Sequence, residues 1–404
     1  MFANYIPLGS IERIALCMKL AGVSSKTTGL TNVTSGFRSA TRMIKHQNFC
    51  EVREMKSFSA TNMKNDSPVK LIVDVDAGVD DAMALLLLLS ADVQKDIEIL
   101  GITCSHGNTH VNNVCINVLR LLEAVGRSDI PVYRGAEGPL IVCNDKNAEK
   151  FENFHGLDGF GDVEFSHTPS MKLIQSENAV PALNRIVSGP DCKGKVRLVC
   201  LAPLTNIALT MKTYADFSSN LKDIYVMGGN STDLKRKAPY HSNGVGNITS
   251  SGEFNFYSDP EAAHIVLTSA CCPIYLLPWE TCLTVDISME WRFSILGAIQ
   301  NSHMELLNAV EKKVWEKSSY TTWISCDAIL AAAVLYPEIV IKSQKCHATV
   351  ELHGTHTRGQ VVLDHLQVKK PNVHIIEKVD TSALKKILLW AAEHAHLEHE
   401  RSKI

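Results

Sequence analysis

The chain has 404 residues, of which 45% are apolar and 21% charged, with a formal net charge of −3. These ordinary globular values exclude a fibrous or wholly disordered chain and give no sign of a polyanion partner; no run reaches the roughly 18 uncharged apolar residues of a membrane span. Charge is uneven, however: residues 1–65 carry nine Lys/Arg against three Asp/Glu, a net of +6, and the rest carries 31 against 40, a net of −9.

Residues 1–65 are rich in Ser, Thr, Asn and Arg and lack periodicity, so they read as an extension outside the fold. Either a transit-like segment, with mitochondrial targeting, or a stretch upstream of Met55 or Met63 fits them; a nucleic-acid arm is the alternative, and the diffuse charges speak against it. Ile14 to Val23 is weakly apolar, contains Lys19 and precedes no clear cleavage site, which argues against secretion. Twelve cysteines lie scattered, with one adjacent couple (Cys271, Cys272) and no CxxC pair. That usage suits reduced thiols in a cytoplasmic protein.

From Val69 onward apolar strands alternate with helices. The pattern predicts strand Val69–Val75, helix Asp80–Ser90, strand Ile97–Cys104 and helix Val111–Val125. A Gly/Asp-rich loop over Phe154 to Asp162 reads as a surface turn or a mobile lid over a pocket. Helix Glu177–Ser188, strand Val196–Leu201, helix Leu204–Lys212 and strand Ile224–Met227 follow, then helix Pro260–Ser269, strand Ile274–Leu277 and helices Ser302–Lys317 and Asp327–Leu335. Strands near Ala348–Leu352 and Gln360–Leu363 and a closing helix, Ser382–His396, complete the chain. Such alternation predicts an α/β fold with one doubly wound, largely parallel sheet flanked by helices, forming a single domain over residues 66–404.

Asp74, Asp76, Asp80 and Asp81 stand within eight residues, between the first strand and the first helix. Open α/β sheets bind ligands at the carboxyl ends of their strands. Capping of the helix accounts for one or two of these acids. Four like charges at one turn call for a hard cation such as Ca2+ or Mg2+, or for bound protons. Gly78 allows the tight turn that lets carboxylates on either side converge. Asp259-Pro260 reads as a helix N-cap with Pro at its first position, and Thr205-Asn206 as a helix-start structure. Asn255, between Phe254 and Phe256, is either a buried amide satisfying backbone or a substrate contact.

Asp74 to Asp81 resembles the DxDxxxDD fingerprint of the inosine–uridine nucleoside hydrolase family. Gly107-Asn108 at the end of the second strand is similar to its VxGN motif, and Phe154-His155-Gly156 to its xHG substrate loop. Ala202 to Ala208 resembles GPLTNIA, Met227-Gly228-Gly229 follows, and Gly252 to Ala263 is close to EFNxxxDPEAA. The likeness spans roughly residues 69–400; each short motif is weak, but six in one order are specific. The resemblance implies hydrolysis of the N-glycosidic bond of ribonucleosides to ribose and a free base, in purine or pyrimidine salvage and catabolism, with Ca2+ at the bottom of the pocket. By the same resemblance Asp76 would bind Ca2+ and act as general base on a metal-bound water. Asp81, Asp327 and the Leu201 carbonyl would be further Ca2+ ligands. Asp80 would accept from ribose hydroxyls, Asn108 and Asn255 would hold the 2′ and 3′ side, and Glu253 with Asn247 the 5′-hydroxyl. Met227 would line the ribose pocket and Phe254 would pack near it. The family also suggests a homodimer or homotetramer acting on a small molecule, with neither nucleic acid nor membrane as partner.

Two departures stand out. Cys326 precedes Asp327 where pyrimidine-accepting members carry His and purine-specific ones Trp; it reads as a packing residue, since no basic neighbour in sequence lowers its pKa. His155 is then the candidate acid for the leaving base, and Trp323 or Tyr320 the candidates to stack on it. Ala77 stands where the family usually shows Pro, a mild change on this reading. A catalytically weak nucleoside or ribose binder and a haloacid-dehalogenase-type phosphatase are the competing functions; in the latter Asp80 and Asp81 would have no role.

Overall fold

A computed structural model describes residues 68–142, 154–231, 246–318 and 321–395. The expected extension over residues 1–65 and Tyr320 lie outside these.

The first apolar run forms β1 (Val69–Val75), buried from Leu71 to Val75 as a central parallel strand must be. Gly78 then caps α1 (Val79–Val93), which is apolar all round and is buried between the sheet and other helices. β2 (Ile97–Cys104) and α2 (Val111–Val125) follow, the latter closed by Gly126 in the left-handed conformation. Two short strands, β3 (Val132–Arg134) and β4 (Ile174–Gln175), extend the sheet outward. After α3 (Ala179–Val187) the chain returns to the other side of β1 with β5 (Val196–Cys200), α4 (Thr205–Thr213) and β6 (Leu221–Met227). Next come α5 (Phe254–Ser258), α6 (Pro260–Ser269), β7 (Ile274–Leu277), α7 (Trp279–Cys282) and β8 (Ile287–Ser288). The remaining elements are α8 (Ser302–Trp315), β9 (Thr322–Trp323), α9 (Cys326–Leu335), β10 (Val340–Cys346), β11 (Ala348–Val350), β12 (Val361–Leu363), β13 (Val373–Val379) and α10 (Thr381–His394).

The principal sheet has nine strands in the order β10-β13-β7-β6-β5-β1-β2-β3-β4. Every pairing in it is parallel except that of the edge strand β10 with β13. Strand order reverses at β1, between β5 and β2, so the crevice where such sheets take ligands opens at its carboxyl end. This bears out the expected doubly wound, largely parallel architecture. Strands β3, β4, β10 and β13 fall outside the expected set: the first two are too short to show a period, and β10 alternates weakly because most of it is exposed. As expected, Asp259 caps α6 by accepting from Ala262 N, with Pro260 at its first position. Among the described residues no helix is long and apolar enough to cross a membrane.

A buried ion pair braces one side of this frame. Arg292 donates from Nε to Glu311 Oε2 (3.0 Å) and from Nη1 to Asn308 Oδ1 (2.8 Å), and the Trp323 indole donates to the same Glu311 oxygen (2.7 Å). Replacing Glu311 by Ala strands a guanidinium in the interior, which costs about 3–5 kcal/mol. Urea unfolding is expected to show that loss, with a smaller one for the paired replacement Arg292→Met with Glu311→Leu.

Candidate active site

The acids diverge in role as soon as β1 ends. Asp74 lies opposite Thr103 in the β1–β2 register, and its Oδ1 accepts from Thr103 Oγ1 (2.5 Å) and Asn206 Nδ2 (2.8 Å). Asn206 also holds the Ala136 amide (2.8 Å) and the Cys104 carbonyl (3.1 Å), so Asp74 and Asn206 knit β1, β2 and α4 together beneath the site. The Asp76 carboxylate is held by Asn108: its Oδ2 accepts from the backbone N (2.9 Å) and its Oδ1 from Nδ2 (3.0 Å). Asp81 closes the turn on itself, accepting from Gly78 N (2.8 Å) and Asp76 N (3.3 Å). Capping therefore does explain part of the acid cluster.

Asp80 and Asp81 stand in the first turn of α1, and Asp327 stands in the first turn of α9, so two helix N-termini bring positive dipole ends to the same point. Carboxylate oxygens of Asp80, Asp81 and Asp327 all lie within 4.8 Å of one another. Asp327 Oδ1 and Asp80 Oδ1 are buried and have no hydrogen-bond partner among the described residues. An orphaned pair of hard oxygen donors beside a third carboxylate fits a divalent cation. Asp76, expected with Asp81 and Asp327 in the metal set, accepts one bond from Asn108 at each oxygen, which leaves a lone pair on both. The Leu201 carbonyl is close by and accepts from Asn255 Nδ2 (2.7 Å), which leaves its second lone pair free.

Burial pushes these carboxyls up. Asp76 rises well above the usual carboxylate range through desolvation and then the charge of Asp81, and Asp327 does so through desolvation and then Asp80. Asp81 rises to about 7 by desolvation, with Asp80 adding to it. Neutralisation by protons is the alternative to neutralisation by a cation.

Above the acids opens a cavity of about 350 Å³. Asp80, Asn108, Leu201 and Asp327 line its acidic end; Met227, Asn247, Glu253, Phe254 and Asn255 line it from β6 and α5. Asp76 and Asp81 lie beneath the lining. Asn255 is a buried amide satisfying backbone, its Nδ2 bonding the Leu201 and Met227 carbonyls (2.7 and 3.2 Å), and it also borders the cavity. Glu253 accepts from Gly229 N (2.6 Å), Asn255 N (2.9 Å) and Phe256 N (3.1 Å), and Asn247 Oδ1 accepts from Phe254 N (2.8 Å). Both are thus fastened to the start of α5 before any ligand arrives.

The rest of the wall is apolar and aromatic: Ile248, Trp279, Trp315, Ile324 and Phe154, the last set edge-on to Trp315 at 5.7 Å. Trp323, expected to stack in the pocket, does not line it; its indole is buried and spent on Glu311. Trp315, one turn along α8 from Glu311, takes that wall instead. At helical spacing a core Trp and a pocket Trp look alike, so the chain carries no signal that could have separated them.

His155 borders the cavity with Nδ1 accepting from Val79 N (3.2 Å) and Nε2 at 3.8 Å from Asp80 Oδ1. That bond fixes the neutral ring as the Nε2–H tautomer, and burial lowers its pKa despite the opposing pull of Asp80. Cys326 also lines the cavity, against Cys282; burial first, and that neighbour second, push its thiol well above the ordinary range. A thiol so weakly acidic is packing, as expected. The expected turn or lid is folded by its own acids: Asp162 Oδ1 accepts from Leu157 N (2.7 Å), and Asp158 Oδ1 from Phe160 N (2.7 Å) and Asp162 N (2.9 Å). Ala77 has φ +42°, which a proline ring cannot adopt, so its replacement of the family's Pro is not a mild change. Gly78 is obligatory on space: a β-carbon there would stand 2.5 Å from Asn108 Nδ2 and 2.9 Å from His155 Nδ1.

Residues 71–386 match the family described as Inosine-uridine preferring nucleoside hydrolase. The chain belongs to that family. It is 32% identical over 320 residues to a pyrimidine-specific ribonucleoside hydrolase, RihA, of Salmonella schwarzengrund, covering 77% of this chain and 94% of that protein. It is 36% identical over 200 residues to probable uridine nucleosidase 1 of Oryza sativa subsp. japonica, which covers 50% of this chain; the chain spans only 55% of that relative's length. Among solved structures it is similar to an inosine-guanosine nucleoside hydrolase, with TM-score 0.71 and 31% identity over 80% of this chain and 99% of that one. As a nucleoside hydrolase the protein is an enzyme of the glycosidase type, and the phosphatase alternative falls away.

The buried acids make a pH test. Glu253 and Asp74 are both raised to about 7 by burial. A raised pKa means the stability these groups contribute is full below their unfolded values and is lost as pH rises through about 7. Burial depresses His106 to about 4, which acts in the opposite sense below its unfolded value of 6.5. With chelator present, the melting temperature is therefore expected to fall as pH rises from about 5 to about 7 and to level off above that, and Asp74→Asn to flatten the fall. A slope unchanged in Asp74→Asn would remove Asp74 as its source.

Proposed function

We propose that this nucleoside hydrolase cleaves the C1′–N bond of ribonucleosides with the help of Ca2+, the ribose lying over the carboxylates at the end of β1 and the base against the aromatic wall. The observation that carries the reading is the convergence of Asp80, Asp81 and Asp327 within 4.8 Å beneath a cavity of about 350 Å³. Asp80, Asp81 and Asp327 would hold the ion, with the Leu201 carbonyl as a further oxygen donor and Asp76 beside them. All-oxygen, carboxylate-rich donors with irregular spacing favour Ca2+ over the stricter octahedron of Mg2+. When bound, the ion would supply charge neutralisation and hold a water in place for deprotonation.

Glycosidic cleavage builds positive charge on the sugar. Asp80, on the cavity wall, is suited to accept from ribose hydroxyls and to stabilise that charge as it develops. Asp76, held in place by Asn108 with a lone pair left on each oxygen, is suited to take a proton from water. Asn247, Glu253 and Asn255 present polar atoms already fixed to backbone, and Asn108 is fixed to the Asp76 carboxylate, so little ordering remains on binding. The aromatic and aliphatic lining suits a planar base of either ring size. On the leaving-group side His155 offers Nε2–H, while the Cys326 thiol is too weak an acid to serve.

Incubating the enzyme with inosine and uridine, with Ca2+, with Mg2+ and with chelator, tests the reading. Ribose release that is lost on chelation and restored best by Ca2+ is expected; binding without turnover would overturn it in favour of a nucleoside-binding homologue. Asp76→Asn keeps the size and one of the two Asn108 contacts, sets a donor against the other and removes the base, so kcat is expected to fall on the order of 10²–10⁴-fold. Cys326→His places an imidazole on the cavity wall and is expected to shift the ratio of uridine to inosine turnover. An unchanged ratio would exclude this position from base selection.

A further inference from the structure

The structure assigns Asn117 as a positioning residue that clamps the acidic turn after β1 to the His155 loop. The two segments that must cooperate in the proposed reaction come from residues nearly eighty positions apart, and they meet at one side chain. Asn117 is buried on α2, and its Nδ2 donates both to the Ala77 carbonyl (3.3 Å) and to the Asp158 carbonyl (2.8 Å). Ala77 lies between Asp76 and Gly78 with φ +42°, so its carbonyl points where few non-glycine residues would send it. Asp158 is the residue whose carboxylate folds the His155 loop by accepting from Phe160 N and Asp162 N.

The amide cannot turn round freely. Its Oδ1 accepts from Arg120 Nη1 (3.4 Å), whose guanidinium lies 3.7 Å from the Phe165 ring centroid and whose Nη2 donates to the His167 carbonyl (3.4 Å). With the oxygen engaged there, the NH2 group faces the two carbonyls. The segments also touch directly at this spot: a β-carbon on Gly159 would meet Ala77 O at 3.0 Å and Asn117 Nδ2 at 3.1 Å. The Val79 N to His155 Nδ1 bond is the second link between them, at 3.2 Å. Asn117 touches no cavity-lining surface, so its effect on turnover runs through the placement of Asp76, Asp80 and His155.

This inference rests on the functional reading above, and the test separates the two. Asn117→Leu keeps the size and removes both donors; Asn117→Ser, too short to reach both carbonyls, serves if the Leu variant does not fold. Hydrogen exchange of the full chain is expected to show residues 76–81 and 155–162 losing protection together, by at least about tenfold, with α4 unchanged. With inosine and Ca2+, kcat is expected to fall on the order of 10–100-fold with KM within about threefold, as for misplaced rather than missing groups. Loosening of only one segment, equal loosening of α4, or an unchanged kcat would overturn the assignment. If the unaltered enzyme turns over no nucleoside, the functional reading fails, and the exchange pattern alone still decides whether Asn117 is the clamp.

Discussion

Mutual repulsion among carboxylates brought together out of water is the constraint around which this structure is arranged. Asp76, Asp81 and Asp327 are buried, and Asp80 stands at their edge. At a few ångströms in a poorly polarisable surrounding, several negative charges cannot coexist without a counterion or protons. The fold answers in part through two helix N-termini and the Asn108 amides, and leaves oxygens on Asp80 and Asp327 without a partner among the described residues. A site balanced in this way is stable as protein only to the extent that something positive completes it. The same incompleteness gives it chemical use.

Around that centre the polar groups fall into two sets. Glu253, Asn247 and Asn255 are bound to backbone and Asn108 to the Asp76 carboxylate, yet all face the cavity, so they are held before a ligand comes. Asp74 with Asn206, and Thr205 with His106 and Asp259, form two sets of hydrogen bonds underneath, with Asn206 Nδ2 donating to Asp74 Oδ1 (2.8 Å), Thr205 Oγ1 donating to Asp259 Oδ2 (2.7 Å) and His106 Nε2 next to it (2.9 Å). None of the second set borders the cavity; it keeps the carboxyl ends of β1, β2 and β5 at fixed separations. On the far wall the Arg292–Glu311–Trp323 network supports α8, which carries Trp315 into the pocket. The buried charge pair thus braces the aromatic face.

Much of this was legible in the chain because the central strands are buried on both faces and read as unbroken apolar runs. β1, β2, α2, α6 and β7 fall at the expected bounds. The acid cluster was also legible, since four aspartates at a strand end exceed what helix capping can use. The division of labour among them was not. Which carboxylate turns to Thr103, which closes the helix cap and which meets Asp327 depends on side-chain directions that spacing does not encode. The aromatic wall was misread for a related reason: Trp315 and Trp323 both suit a core, and only the position of Glu311 decides that one is spent on it. The Gly-rich loop was legible as a loop, but its folding by Asp158 and Asp162, which accept from its own amides, was not.

Gly78 has a consequence of scale. The gap between Asn108, which grips the acidic end, and His155, which faces the other, is too narrow for one more carbon atom. The missing methyl acts as a gauge block between two jaws. Any evolutionary drift toward a wider mouth has to come from the His155 side of this gap, because the other jaw is bolted to Asp76. Enlargement of the ligand range would therefore be written in the residues of that loop long before it touched the aspartates.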